Sequence, residues 1–150
     1  MNSNMMYNIL KYKVNLETPY KIILNGNSMY PVLKDGEFII IQDQDNYTIG
    51  DVLVYKYRDE GILAHRLLET KNEKYYCKGD NCYRLEEINK VEIIGKVLNI
   101  PDVDSCFINM SMAVNSEFVK NNYSFEKTIK SEIYLKYKSL YLEENNQNEV

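Results

Sequence analysis

Ser28 and His65 are the residues of this 150-residue chain whose types suit nucleophilic catalysis, and His65 is its single histidine. A serine hydroxyl is a weak nucleophile until a base takes its proton. An imidazole has the ordinary pKa for that task near neutrality. Ser28 stands in Asn25-Gly26-Asn27-Ser28-Met29-Tyr30-Pro31, after the apolar run at residues 21–24 and before the turn Val32-Leu33-Lys34-Asp35-Gly36. Asn25, Gly26 and Asn27 tolerate tight or left-handed backbone, and Pro31 suits the first turn of a helix. Such a bend leaves backbone N–H groups around the hydroxyl, so Gly26, Asn27 and Ser28 are the candidate oxyanion-hole positions. The competing reading makes Ser28 an N-cap and nothing more.

The elements that must position this pair are strands. In Ile62-Leu63-Ala64-His65-Arg66-Leu67-Leu68, alternation puts Leu63, His65 and Leu67 on one face and Arg66 on the other. A lone histidine among leucines also suits a plain core position. Further runs rich in Ile, Val, Leu and Tyr lie at residues 21–24, 37–42, 52–57, 61–69, 74–78 and 91–100, each bounded by Gly, Asp or Asn. Asp35-Gly36 and Gly50-Asp51 are turn signals. The expected class is mainly β, in an α+β fold.

Residues 1–19 read as an N-terminal arm: Met6, Ile9 and Leu10 share helical spacing, and Thr18-Pro19 ends the helix. No chemistry is assigned to it. Residues 20–100 form the core, and Pro101 opens a C-terminal helical extension over residues 101–150. Residues 107–114 carry apolars at mixed spacing. Residues 124–142 read as one amphipathic helix with Ile129, Ile133, Tyr137, Leu140 and Tyr141 on a stripe. Ser124 with Lys127 makes no capping box, and the acidic, Asn-rich residues 143–150 read as a fraying tail. The helix either completes the core or offers a docking surface to a partner protein or a membrane face.

Five short boxes carry a family resemblance. Gly26-Asn27-Ser28-Met29-Tyr30-Pro31 resembles the Ser-Met-x-Pro box of the type I signal peptidases and LexA-type peptidases. Gly50-Asp51-Val52-Leu53-Val54-Tyr55 resembles their Gly-Asp-Val-Val strand, and Ala64-His65-Arg66-Leu67 the box that carries the base. Lys78-Gly79-Asp80-Asn81 resembles the Gly-Asp-Asn box, and Ile93-Ile94-Gly95-Lys96-Val97 the closing strand. The resemblance implies the coiled, mostly antiparallel β-sheet peptidase core of this clan. It also implies acyl transfer by Ser28 with His65 as base, in the manner of the archaeal and endoplasmic-reticulum signal peptidases, where most bacterial members use lysine.

Relatives of the histidine type hold the base with an aspartate that follows the Gly-Asp-Asn box. Here Asp80 and Glu86 are the candidates, with Asp80 placed ahead because its turn can aim the carboxylate back at the site. Many signal peptidases supply a hydroxyl donor two residues before the nucleophile, where this chain has Gly26. Arg66 and Asp51 match family positions and read as structural. The clan favours small residues just before the cut.

Composition narrows the setting. With 45% hydrophobic and 27% charged residues the chain reads as one ordinary folded protein. A net charge of −4 argues against nucleic acid as partner, since such binders show a basic footprint. Apolar runs such as Phe38-Ile39-Ile40-Ile41 fall far short of the roughly 20 residues that span a bilayer. No secretory signal is visible, and the expected location is the cytoplasm. Cys77, Cys82 and Cys106 are expected as free thiols there, although Cys77 and Cys82 could pair across a hairpin. Three cysteines and one histidine offer little to zinc, and no metal or cofactor is expected.

The expected function is therefore a soluble, signal peptidase-like serine endopeptidase that cuts a peptide or small protein precursor, with a leader peptide as one such substrate. Two alternatives stand beside it. One is a catalytically idle binding module on the same fold. The other is a self-cleaving LexA-like regulator, which the short stretch before the serine box and its lack of a small-residue–Gly pair disfavour.

Overall fold

The computed structural model describes residues 3–101 and 105–142. The chain divides into two compact units, Met1–Ile100 and Pro101–Val150. The first holds helix α1 (Ser3–Leu16) and seven strands: β1 (Tyr20–Ile23), β2 (Phe38–Gln42), β3 (Val52–Lys56), β4 (Ile62–Lys71), β5 (Lys74–Lys78), β6 (Glu86–Asn89) and β7 (Ile93–Val97). They form one sheet in the order β1-β2-β7-β3-β4-β5-β6. Every pairing is antiparallel. The mainly β, α+β architecture is thus the one the residue pattern implied.

Burial explains the pattern. β3 is covered on both faces, Val52 to Tyr55 all being at most 1% exposed, and its four apolar residues run without alternation. β1 and β6 are the edges, β1 alternating half-buried with exposed residues and β6 buried with exposed ones. Among the strands, β6 escaped the sequence pattern, because Glu86-Glu87-Ile88-Asn89 contains one aliphatic residue. Its strand character comes from pairing with β5, which turns Glu86 and Ile88 inward.

The helix expected within residues 1–19 from the spacing of Met6, Ile9 and Leu10 spans Ser3–Leu16, and it packs on the sheet. Val14 is fully buried beneath it. Lys11 Nζ donates to the Val91 carbonyl at 2.8 Å and the Tyr7 hydroxyl donates to the same oxygen, which anchors α1 beside β7. Residues 1–19 therefore belong to the same compact unit as the sheet.

The second unit holds α2 (Ser105–Lys120), α3 (Phe125–Ile129), α4 (Glu132–Tyr137) and a π-helical turn, Lys138–Leu142. α2 buries Ser111, Val114, Asn115 and Phe118 at helical spacing. Two of these four are polar, which hid the stripe in the sequence. The single helix expected over residues 124–142 is broken after Lys130. Ser124 caps α3 by accepting from Lys127 N at 3.2 Å, so the cap exists without a capping box. Ser131 caps α4 by accepting from Tyr134 N at 3.2 Å and donates to Thr128 O at 2.6 Å, which ends one helix and starts the next. Of the expected stripe, Tyr137 is buried while Leu140 is 47% exposed. The Cys106 side chain and the tail at 143–150 lie outside the described residues.

Candidate active site

The serine turn is built on buried apolar side chains. At its base Leu24 N donates to Glu37 O and Gly36 N to Leu24 O, both at 2.8 Å. Gly26 bends the chain with φ of 93°, a value that favours glycine. Beyond Ser28, Met29 and Leu33 are fully buried, and Val32 and Tyr30 nearly so. The helix expected to begin at Pro31 does not form. The chain makes turns here, Tyr30 N donating to Asn27 O at 3.1 Å and Leu33 N to Met29 O at 2.9 Å, and the Tyr30–Pro31 bond is cis.

A second loop holds the first from below. Asn81 N donates to Ser28 O at 2.9 Å, and Asn81 Nδ2 donates to Asn27 O at 3.0 Å. Gly79 lies in closest approach: a Cβ there would come 2.7 Å from Ser28 O and 3.1 Å from His65 Nε2. The Gly-Asp-Asn box is therefore the floor of the site, and its glycine is required by contact rather than by backbone angle.

His65 comes from the middle of β4, opposite Leu53 of β3, and is 4% exposed. The sheet register decides which carboxylate reaches it. Leu67 of β4 pairs with Cys77 of β5, and Cys77 pairs with Glu86 of β6. His65 shares the Leu67 face, two residues away, so Glu86 lies on its side of the sheet. Glu86 Oε1 is 2.6 Å from His65 Nδ1, and His65 Nε2 is 2.9 Å from Ser28 Oγ. Three side chains from β6, β4 and the β1–β2 turn thus form one continuous chain of hydrogen bonds.

Glu86 is 1% exposed, and burial acts to raise its carboxyl pKa. The bond and charge of His65, with donors from Tyr55 and Arg84, outweigh burial, and the pKa is lowered. Tyr55 Oη donates to Oε1 at 2.6 Å and Arg84 Nε to Oε2 at 3.0 Å. A carboxylate only accepts, so Nδ1 carries the proton and Nε2 presents its lone pair to the serine hydroxyl. The Tyr55 ring also meets the imidazole edge-on, with centroids 6.2 Å apart. Glu86 is thus turned toward His65 by groups that the sequence reading had not assigned.

Asp80, ranked ahead of Glu86 on the sequence, is the partner of Arg66. Arg66 Nε and Nη2 donate to its two oxygens at 2.9 and 2.7 Å, with both side chains buried. Arg66 Nη1 also donates to Gly50 O at 2.8 Å, tying the pair to the β2–β3 turn. Arg66 points to the sheet face opposite His65, and Asp80 follows it there. Arg66 is structural, as is Asp51, which accepts from Thr48 N at 2.9 Å.

The oxyanion-hole candidates separate as well. Gly26 N donates to Asp35 Oδ1 at 2.6 Å and is not free to bind an oxyanion. The Asn27 side-chain oxygen accepts from Asp35 N at 3.3 Å, so that amide braces the loop. The Ser28 N–H has no acceptor among the described residues. The Asn27 N–H likewise has no acceptor among the described residues.

Lys78 is a buried cation that the sequence reading left unassigned. It is fully buried, donates to Gly79 O at 2.9 Å, and lies 4.3 Å above the Tyr83 ring. Burial lowers its pKa to about 8, helped by Arg66 and opposed by Asp80, Cys82 and Glu86. Cys77 and Cys82 are both free thiols, so the pairing across a hairpin does not occur.

A buried carboxylate, an imidazole with its proton fixed, and a serine in a tight turn can together perform acyl transfer. A family model described as Peptidase S24-like matches residues 5–98, more than half the chain. The match takes in α1 as well as the sheet. No curated protein matches the chain. Among the described residues no helix is long and apolar enough to cross a membrane.

Proposed function

The chain belongs to the Peptidase S24-like family, and from that premise we propose that it is a serine endopeptidase cutting a peptide or small protein precursor in trans. Ser28 Oγ attacks the carbonyl carbon of the scissile bond while His65 Nε2 takes its proton. Glu86 keeps the proton on Nδ1 and stabilises the imidazolium that forms. The tetrahedral intermediate collapses as the imidazolium gives its proton to the leaving amine. Water, deprotonated by the same nitrogen, then releases the acid from Ser28. The Ser28 N–H faces the oxyanion.

The observation that carries this reading is the unbroken run Ser28–His65–Glu86, with contacts of 2.9 and 2.6 Å. Gly26 supplies no side-chain donor, and loss of one oxyanion donor costs about 10²–10³ in rate, so turnover is slow. Cys77 and Cys82 as thiols support a cytoplasmic setting, where a leader peptide on a precursor is a fitting substrate.

The test is acylation by a fluorophosphonate, read by intact mass. The chain should gain one adduct, at Ser28. Ser28→Ala and His65→Ala should each abolish the adduct and the cleavage of a precursor while leaving the thermal transition in place. An unmodified wild-type protein would support the idle binding module, and a purified sample that shortens itself would support the self-cleaving regulator.

A further inference from the structure

Of the three side chains that donate to Glu86, Arg84 alone is exposed, and its guanidinium is shared between two carboxylates. Nε donates to Glu86 Oε2 at 3.0 Å, while Nη1 and Nη2 donate to the two oxygens of Glu60 at 2.8 Å each. The side chains of Arg84 and Glu60 are about half exposed, whereas that of Glu86 is buried. The guanidinium also lies over the ring of the buried Tyr57, 5.0 Å from its centroid. One planar fork thus joins the protein surface to the acid behind His65.

The β3–β4 hairpin places Glu60 for this contact. Glu60 N donates to Tyr57 O and Tyr57 N to Gly61 O, both at 3.0 Å. The turn is tied at both ends, so holding Glu60 against Arg84 costs side-chain freedom and little else.

We propose that Arg84, held by Glu60 and Tyr57, is a positioning residue that sets how firmly His65 holds its proton. The inference rests on the proposed Ser28–His65–Glu86 site and concerns the tuning of its base. Glu86 stabilises the imidazolium, and a guanidinium on the far oxygen of that carboxylate offsets part of this stabilisation. Without Arg84 the imidazolium is held more tightly, and the free base appears only at higher pH. Glu60 acts in the opposite sense, because its charge draws on the same guanidinium. Two substitutions in one network therefore move the base in opposite directions, which loss of packing does not do.

The other groups around the pair are common to every variant. Burial pushes Tyr55 of β3, Cys77 of β5 and Cys82 of the following loop up, so all three stay neutral near pH 7. Glu86 is lowered against burial by His65, Tyr55 and Arg84, and stays ionised. Lys78 changes charge at about pH 8, but it leaves β5 on the face opposite Cys77, with the Arg66–Asp80 pair. Arg58, 4.9 Å from the Tyr57 centroid, keeps its charge throughout.

His65 is the single histidine, so its ring Cε1–H gives one NMR signal in the full chain. The titration midpoint of that signal should lie about 0.5–1 pH unit higher in Arg84→Met than in the wild type. In Glu60→Gln it should lie lower, and Arg84→Lys, which keeps the charge, should stay close to the wild type. The pH of half-maximal fluorophosphonate labelling at Ser28 should move in the same directions, while thermal midpoints record structural loss separately. A midpoint for Arg84→Met at or below the wild type, or for Glu60→Gln at or above it, overturns the inference. The Glu60→Gln comparison decides alone if Arg84→Met does not fold. Shifted titrations in a chain whose Ser28 resists the reagent keep the role of Arg84 and remove the peptidase; unshifted titrations with a reactive Ser28 do the reverse.

Discussion

Glu86 Oε1 lies 2.6 Å from His65 Nδ1, yet the two residues sit on strands that do not touch, with Cys77 of β5 between them. The carboxylate crosses a whole strand to reach the imidazole. That reach is stable because Tyr55 and Arg84 satisfy the same carboxylate inside a core of Leu53, Leu67 and Ile88. A buried carboxylate with three donors is held in one orientation, and it holds the ring in turn.

Glu86→Gln should therefore slow acylation of Ser28 by about 10²–10⁴ while the fold persists. The single amide oxygen accepts either on the side of His65 and Tyr55 or on the side of Arg84, and the neutral amide no longer stabilises an imidazolium. The check is the rate of fluorophosphonate labelling beside the thermal midpoint. A labelling rate equal to the wild type would remove Glu86 from the mechanism.

Gly79→Ala and Gly95→Ala should separate function from stability. The Gly79 Cβ would push on Ser28 O and His65 Nε2. A displacement of about 1 Å there costs on the order of 10² in rate. At Gly95 the new Cβ would come 2.7 Å from Gln42 O and from Ile41 Cγ2, in the sheet and away from the serine. Gly95→Ala should lower the thermal midpoint and leave the labelling rate of the folded protein unchanged.

Asp80→Asn leaves the buried Arg66 guanidinium without its ion pair. Stability should fall by about 3–5 kcal/mol, as for other buried pairs broken on one side. The double variant Arg66→Met with Asp80→Leu should recover most of that loss, because neither charge is then stranded. Denaturant midpoints of the three proteins provide the check. If Asp80→Asn instead slowed labelling as strongly as Glu86→Gln without loss of stability, Asp80 would be acting on the histidine.

Lys78 sets a pH dependence of stability. Its folded pKa of about 8 lies below the unfolded value of about 10.4. Between these the unfolded chain binds more protons, so the lysine's contribution to stability rises with pH over that window. Below about pH 8 the full cost of a buried ammonium is present. Lys78→Met should thus be more stable than the wild type at pH 7, with the gap narrowing from pH 8 to pH 10. Urea unfolding of both proteins across that range gives the comparison, and a constant gap would show that Lys78 does not titrate there.

Much of the site was legible in the residues themselves. A serine after Asn-Gly-Asn can only occupy a bend, and the strand around His65 is written in its alternation, so both parts and their fold class follow from local rules. The boundaries of β5 coincide with residues 74–78, since Gly79 and the Asn72-Glu73 turn bracket an aromatic run.

What the sequence could not decide was which acid reaches His65, which N–H groups of the serine turn are already engaged, and what α1 packs against. Asp80 and Glu86 are equivalent as carboxylates, and only the register across β4, β5 and β6 sends one to His65 and the other to Arg66. Gly26 looked free because its partner Asp35 is nine residues on, brought back by the turn. The helix looked idle because the surface it completes belongs to β1 and β4. Local periodicity records which face of an element is apolar. It carries no record of what that face will meet, and in this chain the meeting of faces makes the site.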